Sequence, residues 1–228
     1  MLHRLPVLAA AILASISLDA RADILVQYDL AGAPGDQAST PGSSSAAGVT
    51  PLSLSRGSGL NPVAGANSFN SSGWNNPGAF DYVEFGFNTT QSYDAEELYV
   101  GLRSSGTGPG LVNLSYSVNG GAFTLLRQFD MPDAAFLNVV VDLDSLPDVT
   151  SGLVMRFTSA GGASANDSTV LAAGTLRTTG YFVQGVFDRN FQITGTPVTP
   201  AAVPAPAALP VFLVALAGFG LALRRQRA

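Results

Sequence analysis

Three aspartates in the second half of the chain, Asp142, Asp144 and Asp148, are the clearest candidates for binding a cation. Asp142 and Asp144 are two residues apart, so in a β-strand both carboxylates point to one face, and Asp148 follows after a turn. Ca²⁺ binds several oxygens of this kind, completed by carbonyls and water. The favoured interpretation is simpler: these residues form the polar edge of a strand and its turn. No cofactor is therefore predicted, with Ca²⁺ as the alternative.

Trp74, the only tryptophan, is the candidate for binding a ligand. It lies in a stretch rich in Asn, Gly and Ser, and an aromatic ring can stack on the apolar face of a sugar. Tyr82, Tyr93 and Tyr116 could complete such a platform. The alternative is that Trp74 fills the core, which is the more common role of a single tryptophan in a loop.

Missing residue types exclude most catalytic chemistry. The chain has no cysteine, and its one histidine, His3, lies in a predicted leader, so thiolate and imidazole catalysis and His- or Cys-based metal sites are excluded from the exported part. Paired carboxylates of a glycosidase are the remaining option. The nearest pair, Asp81 and Glu84, is three residues apart and would face opposite sides of a strand. We predict that the protein is not an enzyme.

The charge balance excludes another class of partner. Lysine is absent, and residues 23–206 contain six arginines against fifteen carboxylates, a net charge of −9. A domain this acidic is a poor match for nucleic acid or for anionic lipid.

Alternation of apolar and polar residues predicts strands throughout residues 23–195. The period is two at Val83, Phe85 and Phe87, and it recurs in several later runs separated by Gly, Pro, Asn and Ser. Asn119-Gly120 between two alternating runs predicts a β-hairpin. We predict an all-β fold, an antiparallel jelly-roll-like β-sandwich of about eight to ten strands, with a partly open barrel as the alternative. Residues 31–66 and 159–168 are predicted to be loops, although residues 49–54 could add an edge strand.

The N-terminus has the features of a secretory signal peptide. A short basic start is followed by a mostly apolar stretch over residues 5–18. Ala20 and Ala22 then supply the small-x-small cleavage pattern. We predict a signal peptide over residues 1–22, cleaved before Asp23.

The C-terminus has three parts that together form a predicted sorting signal. A Pro-spaced linker over residues 196–202 precedes a short motif, and an uncharged apolar run over 207–223 follows, long enough for a transmembrane helix. The basic tail over 224–228 should stay on the cytoplasmic side of the inner membrane. The motif residues are Val203, Pro204, Ala205 and Pro206, and the basic stop residues are Arg224, Arg225 and Arg227.

Residues 203–228 resemble the PEP-CTERM sorting signal of Gram-negative bacteria, also called the ice-binding protein C-terminal domain. The family pattern has a Pro-Glu-Pro-type motif, and Ala205 stands where the family's namesake has Glu. The resemblance implies that an exosortase, a membrane transpeptidase, processes the protein as its substrate. It covers roughly a tenth of the chain and says nothing about the activity of the rest.

Together these features predict an exported, non-enzymatic protein of the cell envelope or the exopolysaccharide matrix, with a structural or adhesive role. Before processing, the C-terminal helix would anchor it in the inner membrane; afterwards it would lie at the cell surface or in the extracellular matrix. The first alternative is a carbohydrate-binding module, with or without Ca²⁺. The second is a secreted polysaccharide hydrolase.

Overall fold

The computed structural model describes residues 22–199, which form strands, turns and loops without any helix. In this range no helix is long and apolar enough to cross a membrane. The predicted leader, except for the exposed Ala22, and the predicted sorting motif, apolar run and basic tail lie outside the described residues.

Seventeen strands, numbered in chain order, account for the regular structure of these residues. They are β1 (Asp23–Tyr28), β2 (Pro34–Gly35), β3 (Ser39–Thr40), β4 (Val49–Pro51), β5 (Leu54–Arg56), β6 (Asn61–Pro62), β7 (Ser68–Ser72), β8 (Tyr82–Thr89), β9 (Tyr93–Ser104), β10 (Leu111–Val118), β11 (Thr124–Asp130), β12 (Phe136–Asp142), β13 (Gly152–Ser159), β14 (Thr175–Thr179), β15 (Tyr181–Val183), β16 (Val186–Arg189) and β17 (Phe191–Pro197).

Two sheets form the sandwich, and a separate hairpin joins β15 to β16. The first sheet has eight strands in the order β1-β17-β9-β14-β7-β2, with β12 paired to β9 and β6 paired to β7. The second has seven strands in the order β11-β10-β13-β8-β5-β3, with β4 paired to β8. Almost all pairs are antiparallel; β2 and β7 are parallel.

The core lies between the two sheets and is joined by aromatic contacts. Phe191 of the first sheet meets Phe85 of the second edge to face, with ring centroids 4.7 Å apart. Tyr28 packs on Phe191 at 5.3 Å, and its hydroxyl donates to the Leu52 carbonyl at 2.9 Å. Burial raises the pKa of Tyr28 strongly, because the phenolate would lose its hydration. The inward-facing residues of both sheets therefore form one apolar layer.

Arg56 links the two sheets at one end of the sandwich. It belongs to β5 of the second sheet, and its guanidinium donates to the carbonyls of Gly35 and Asn70 in the first sheet, at 2.8 and 2.7 Å. It also donates to the Ser71 hydroxyl at 2.9 Å and lies 3.7 Å above the Phe69 ring. Burial lowers the pKa of Arg56 to about 10, which still leaves it charged at neutral pH.

The predicted all-β sandwich is confirmed, and so is the hairpin at Asn119-Gly120. Both turn residues have positive φ, 53° and 77°, the geometry of a type I′ turn. The jelly-roll connectivity stays a prediction.

Two boundaries differ from the prediction. Residues 31–66 contain five short strands, which add to both sheets, whereas the sequence allowed only one edge strand, over residues 49–54, where β4 and the start of β5 lie. The predicted linker starts too early: Thr196 and Pro197 still pair with Asp94 and Tyr93 of β9. The sandwich therefore continues past residue 195.

Candidate functional site

The β15–β16 hairpin interrupts what would otherwise be one continuous strand. β14 and β17 both pair with the same edge of β9, β14 through Thr179 opposite Gly101 and β17 through Gln192 opposite Tyr99. The chain leaves the sheet after Thr179, forms the hairpin, and returns at Phe191. The hairpin is therefore an excursion whose two ends are fixed next to each other on β9.

Side chains of the first sheet hold the hairpin on its outer face, the face turned away from the core. The Phe182 amide donates to Asn138 Oδ1 at 3.2 Å. Tyr181 packs edge to face on Tyr99 with ring centroids 5.5 Å apart, and the Arg189 guanidinium lies 4.1 Å above the Tyr99 ring. These contacts position the hairpin across strands β9 and β12.

The base of the hairpin crosses the sheet where a glycine leaves room for it. A Cβ at Gly101 would lie 2.5 Å from the Gly180 carbonyl oxygen and 2.3 Å from Thr179 Oγ1, closer than real Cβ contacts. Gly101 therefore permits the chain to pass directly over β9.

We call the outward surface formed by this hairpin and the strands beneath it the hairpin face. It combines exposed rings with an amide. Its aromatic and amide residues are Tyr99, Phe136, Asn138, Tyr181, Phe182 and Phe187.

The hairpin face is unusually apolar for an exposed surface. Nine large hydrophobic side chains are exposed in the described part of the chain, and five of them lie here: Phe136, Val140, Val183, Val186 and Phe187. Clusters of exposed apolar side chains on a protein surface often mark interaction or ligand-binding sites. The face is therefore the strongest candidate site in residues 22–199.

Two depressions flank Phe182 on the hairpin face. The larger, about 230 Å³, is lined by Phe182 and Phe187 together with the amides of Asn67 and Asn190. The smaller, about 170 Å³, is lined by Phe136, Asn138 and Phe182. Each depression thus combines aromatic walls with at least one amide group.

Charged side chains lie next to the aromatic rings of the hairpin face. Arg189 forms an ion pair with Asp188 at 2.7 Å, and this hydrogen bond raises the pKa of Arg189. The Tyr99 hydroxyl donates to Glu97, and the pKa of Tyr99 is raised first by burial and then by that hydrogen bond. Tyr99 is therefore held as a neutral phenol, suited to stacking and hydrogen bonding.

An acidic depression lies on the same sheet, where the end of β12 pairs with the first half of β9. Asp142 and Asp144 line it together with Asp94, Glu96 and Glu97. β12 ends at Asp142, whose Oδ1 accepts a hydrogen bond from the Asp144 amide at 2.9 Å, so the two aspartates form a turn and do not alternate along one strand.

The structure does not bring the three aspartates together in one place. Asp148 does not line the acidic depression, and its carbonyl accepts from Asn119 Nδ2 at 3.0 Å. Within residues 22–199, no three acidic, histidine or cysteine side chains are placed to hold a metal ion. Asp142, Asp144 and Asp148 fit the polar strand edge and turn that we favoured.

The structure also corrects the role considered for Trp74. Its side chain is 0% exposed, and its indole N–H donates to the Ser71 carbonyl at 2.8 Å. Tyr93 is buried too, and Tyr82 is covered by the Arg156 guanidinium at 3.9 Å on the second sheet. Trp74, Tyr82 and Tyr93 therefore do not form an open stacking platform with Tyr116, because burying the large indole ring and Tyr93 removes their apolar surface from water.

The residues of the hairpin face were not predicted from the sequence as a site. From the sequence, residues 180–187 predict a closing strand of the sandwich and not a separate hairpin. A signal is present nonetheless: Gln184-Gly185 separates two apolar pairs, and both residues have positive φ, as a two-residue hairpin turn requires.

Comparisons with known proteins give no family. No family model matches the sequence, and no curated protein matches it. Among solved structures, a family 29 carbohydrate binding module is 12% identical, with 81% of this chain and 99% of the module covered and a TM-score of 0.42. A variant of a family 29 module is 10% identical over 77% and 92% of the two chains, with a TM-score of 0.44.

A third likeness involves a larger enzyme. An exo-β-1,3-galactanase from Phanerochaete chrysosporium is 20% identical over 57% of this chain and 26% of the enzyme, with a TM-score of 0.23. All three likenesses are too distant to say what this chain binds. The hairpin face has to be interpreted from its own residues.

Proposed function

We propose that this protein is an exported, non-enzymatic matrix or envelope protein that binds polysaccharide through the hairpin face. The observation that carries the proposal is the grouping of exposed rings with amides on one side of the sandwich. This makes carbohydrate binding, the first alternative from the sequence, the specific form of the adhesive role.

The chemistry of the hairpin face suits a sugar chain. The C–H groups on one side of a pyranose ring are apolar and bury well against an aromatic ring, as Phe136, Phe182 and Phe187 can offer. The sugar hydroxyl groups need hydrogen-bond donors and acceptors. The Asn67 amide supplies them in the larger depression and the Asn138 amide in the smaller one. Phe136 and Phe187 are 51% and 54% exposed, so their rings are open to a ligand.

Export and processing complete the proposal. The signal peptide at residues 1–22 would direct secretion, and the tail at 203–228 would anchor the chain until an exosortase removes it. Support comes from the leader pattern and from the resemblance of the tail to the PEP-CTERM signal. Matrix polysaccharide would then be the natural ligand of the exported sandwich.

Removing either exposed ring should weaken polysaccharide binding. We expect Phe136→Ala and Phe187→Ala each to weaken binding by about tenfold, because each removes a stacking surface worth about 1–2 kcal/mol. The measurement is affinity electrophoresis of the full chain in detergent, through gels containing the host's exopolysaccharide and a panel of purified polysaccharides.

Phe123→Ala is the matched control. Phe123 is 41% exposed but lies against Arg156 on the second sheet, so its removal should leave binding unchanged. Equal retardation of all three variants would contradict the proposal, as would release of reducing ends from the polysaccharide, which would indicate a hydrolase.

Truncation tests the sorting part separately. A chain that ends at Thr199 keeps all seventeen strands but lacks the motif, the apolar run and the basic tail. We expect it to be secreted without membrane retention, whereas the full chain should be retained and processed only in cells that contain an exosortase. Immunoblots of membrane and medium fractions measure this, and identical distribution of both chains would contradict exosortase sorting.

A further inference from the structure

Arg103 lies directly beside the most accessible ring of the β12 strand. It pairs in register with Phe136, so the two side chains are neighbours on the outer face of the first sheet. The Arg103 guanidinium carbon is 5.5 Å from the centre of the Phe136 ring. A ligand that packs on the exposed part of Phe136 would therefore lie close to a guanidinium.

The orientation of Arg103 is fixed by a contact that leaves its terminal nitrogens available. Its Nε donates to the Ala134 carbonyl at 2.9 Å. The ion pairs formed in residues 22–199 are Arg156 with Glu84 and Arg189 with Asp188, so no described carboxylate pairs with Arg103. A positioned guanidinium without a carboxylate partner is a receptor for a planar anion.

A second arginine strengthens the positive charge at this point. Arg103 lies on β9 between two neighbours, Phe136 of β12 on one side and Arg177 of β14 on the other. Arg177 also lacks a carboxylate partner in the described residues. Like charges directly opposite each other across two strands destabilise a sheet. Two of the six arginines in a strongly acidic domain thus lie in one cross-strand row of the first sheet, and an anion bound at Arg103 would offset their repulsion.

We propose that the hairpin face recognises an acidic polysaccharide, in which a uronate ring stacks on Phe136 and its carboxylate binds Arg103. This inference rests on the proposed polysaccharide-binding function and specifies the class of polymer. The carboxylate of a uronate is attached to the sugar ring itself, so a sugar ring that packs on the exposed part of Phe136 can place its carboxylate against the neighbouring guanidinium. Arg177 raises the positive potential at the site.

The test compares polymers that differ only in charge. Polygalacturonate and alginate are each presented beside the same polymer with its carboxylates reduced to alcohols, at 0.15 M NaCl. At this salt concentration the Debye length is about 8 Å, so the remote carboxylates of the domain are largely screened and contact with Arg103 is retained. We expect the full chain to bind at least one polyuronate about tenfold or more tightly than its reduced form.

Three substitutions that change the net charge equally locate the effect. Arg103→Gln should remove the preference for the polyuronate and leave binding of the reduced polymer unchanged. Arg127→Gln changes the net charge equally but lies on β11 of the second sheet, so the preference should persist. Arg177→Gln should lower the preference by a smaller factor, and thermal melts confirm that each variant is folded.

The outcomes separate this inference from the function on which it rests. Equal affinity for charged and reduced polymers, or a preference that survives Arg103→Gln, would overturn the uronate assignment and leave polysaccharide binding intact. Failure to bind any polymer, including the host's exopolysaccharide, would overturn both.

Discussion

Trp74→Ala should lower the free energy of unfolding by about 3–5 kcal/mol, the largest loss expected from any single change in this domain. The indole is fully buried, and truncation to a methyl group would leave a cavity and remove the hydrogen bond from the indole N–H to the Ser71 carbonyl. For a domain of this size the loss corresponds to a melting temperature lower by roughly 10 °C. Far-UV circular dichroism is the suitable measurement, because the variant lacks the only tryptophan fluorophore.

Two comparisons distinguish a core residue from a ligand-binding one. Trp74→Phe keeps most of the ring and loses the hydrogen bond, so it should cost only about 1–2 kcal/mol. Phe80→Ala removes a ring that is 64% exposed and should change stability by less than about 0.5 kcal/mol. A Trp74→Ala protein that melts like the parent but no longer binds polysaccharide would reverse our assignment and place a stacking site at Trp74.

Arg56→Ala should cost about 3–4 kcal/mol, the second large loss. The substitution removes the hydrogen bonds from the Arg56 side chain of β5 to the first sheet. The buried carbonyls of Gly35 and Asn70 then lose the guanidinium as a donor. It also removes the guanidinium stacked on Phe69. Urea unfolding of the full chain in detergent, followed by Trp74 fluorescence, measures the effect.

Arg56→Lys tests whether charge alone is sufficient. A lysine ammonium is a single point and cannot reproduce the planar fork that reaches several acceptors, so the variant should remain destabilised by about 2 kcal/mol or more. Arg127→Ala, on the exposed edge strand β11, should stay within about 0.5 kcal/mol of the parent. A stability loss as large for Arg127→Ala as for Arg56→Ala would contradict the role assigned to Arg56.

Elements with a strong local signal were predictable from the sequence. The β10–β11 hairpin is specified by two alternating runs around Asn119-Gly120, where a type I′ turn needs two residues that tolerate positive φ. The central strands β8 and β13 bury at least every second residue, and β9 does so on both sides of a shift at Glu96 and Glu97; this alternation is visible as period-two hydrophobicity.

Strand β7 shows why part of the fold was not predictable. Its sequence, Ser-Phe-Asn-Ser-Ser, has one apolar residue, yet all five positions are buried. Burial of so polar a strand depends on hydrogen bonds from distant residues. Arg56 of β5 donates to the Asn70 carbonyl and the Ser71 hydroxyl, and the Thr178 hydroxyl donates to the Phe69 carbonyl. Such partners are 14 or more residues away in sequence, so no local pattern could reveal them.

The candidate site was missed for a related reason. Tyr99, Phe136 and Phe182 come from three separate segments, and they meet only because β12 and the hairpin both lie along β9. Trp74, by contrast, was singled out for its residue type alone. Residue type suggests a chemistry, but exposure and proximity decide whether the chemistry is available.

The excursion between β14 and β17 has a consequence for how this protein could diversify. Because both ends of the segment are clamped to neighbouring positions on one strand, Thr179 opposite Gly101 and Gln192 opposite Tyr99, its interior can lengthen, shorten or be replaced without re-pairing the sheet. Recognition and scaffold stability are then separable traits. A laboratory library randomised over residues 181–190 would exploit that separation to obtain binders with new specificities from an unchanged sandwich.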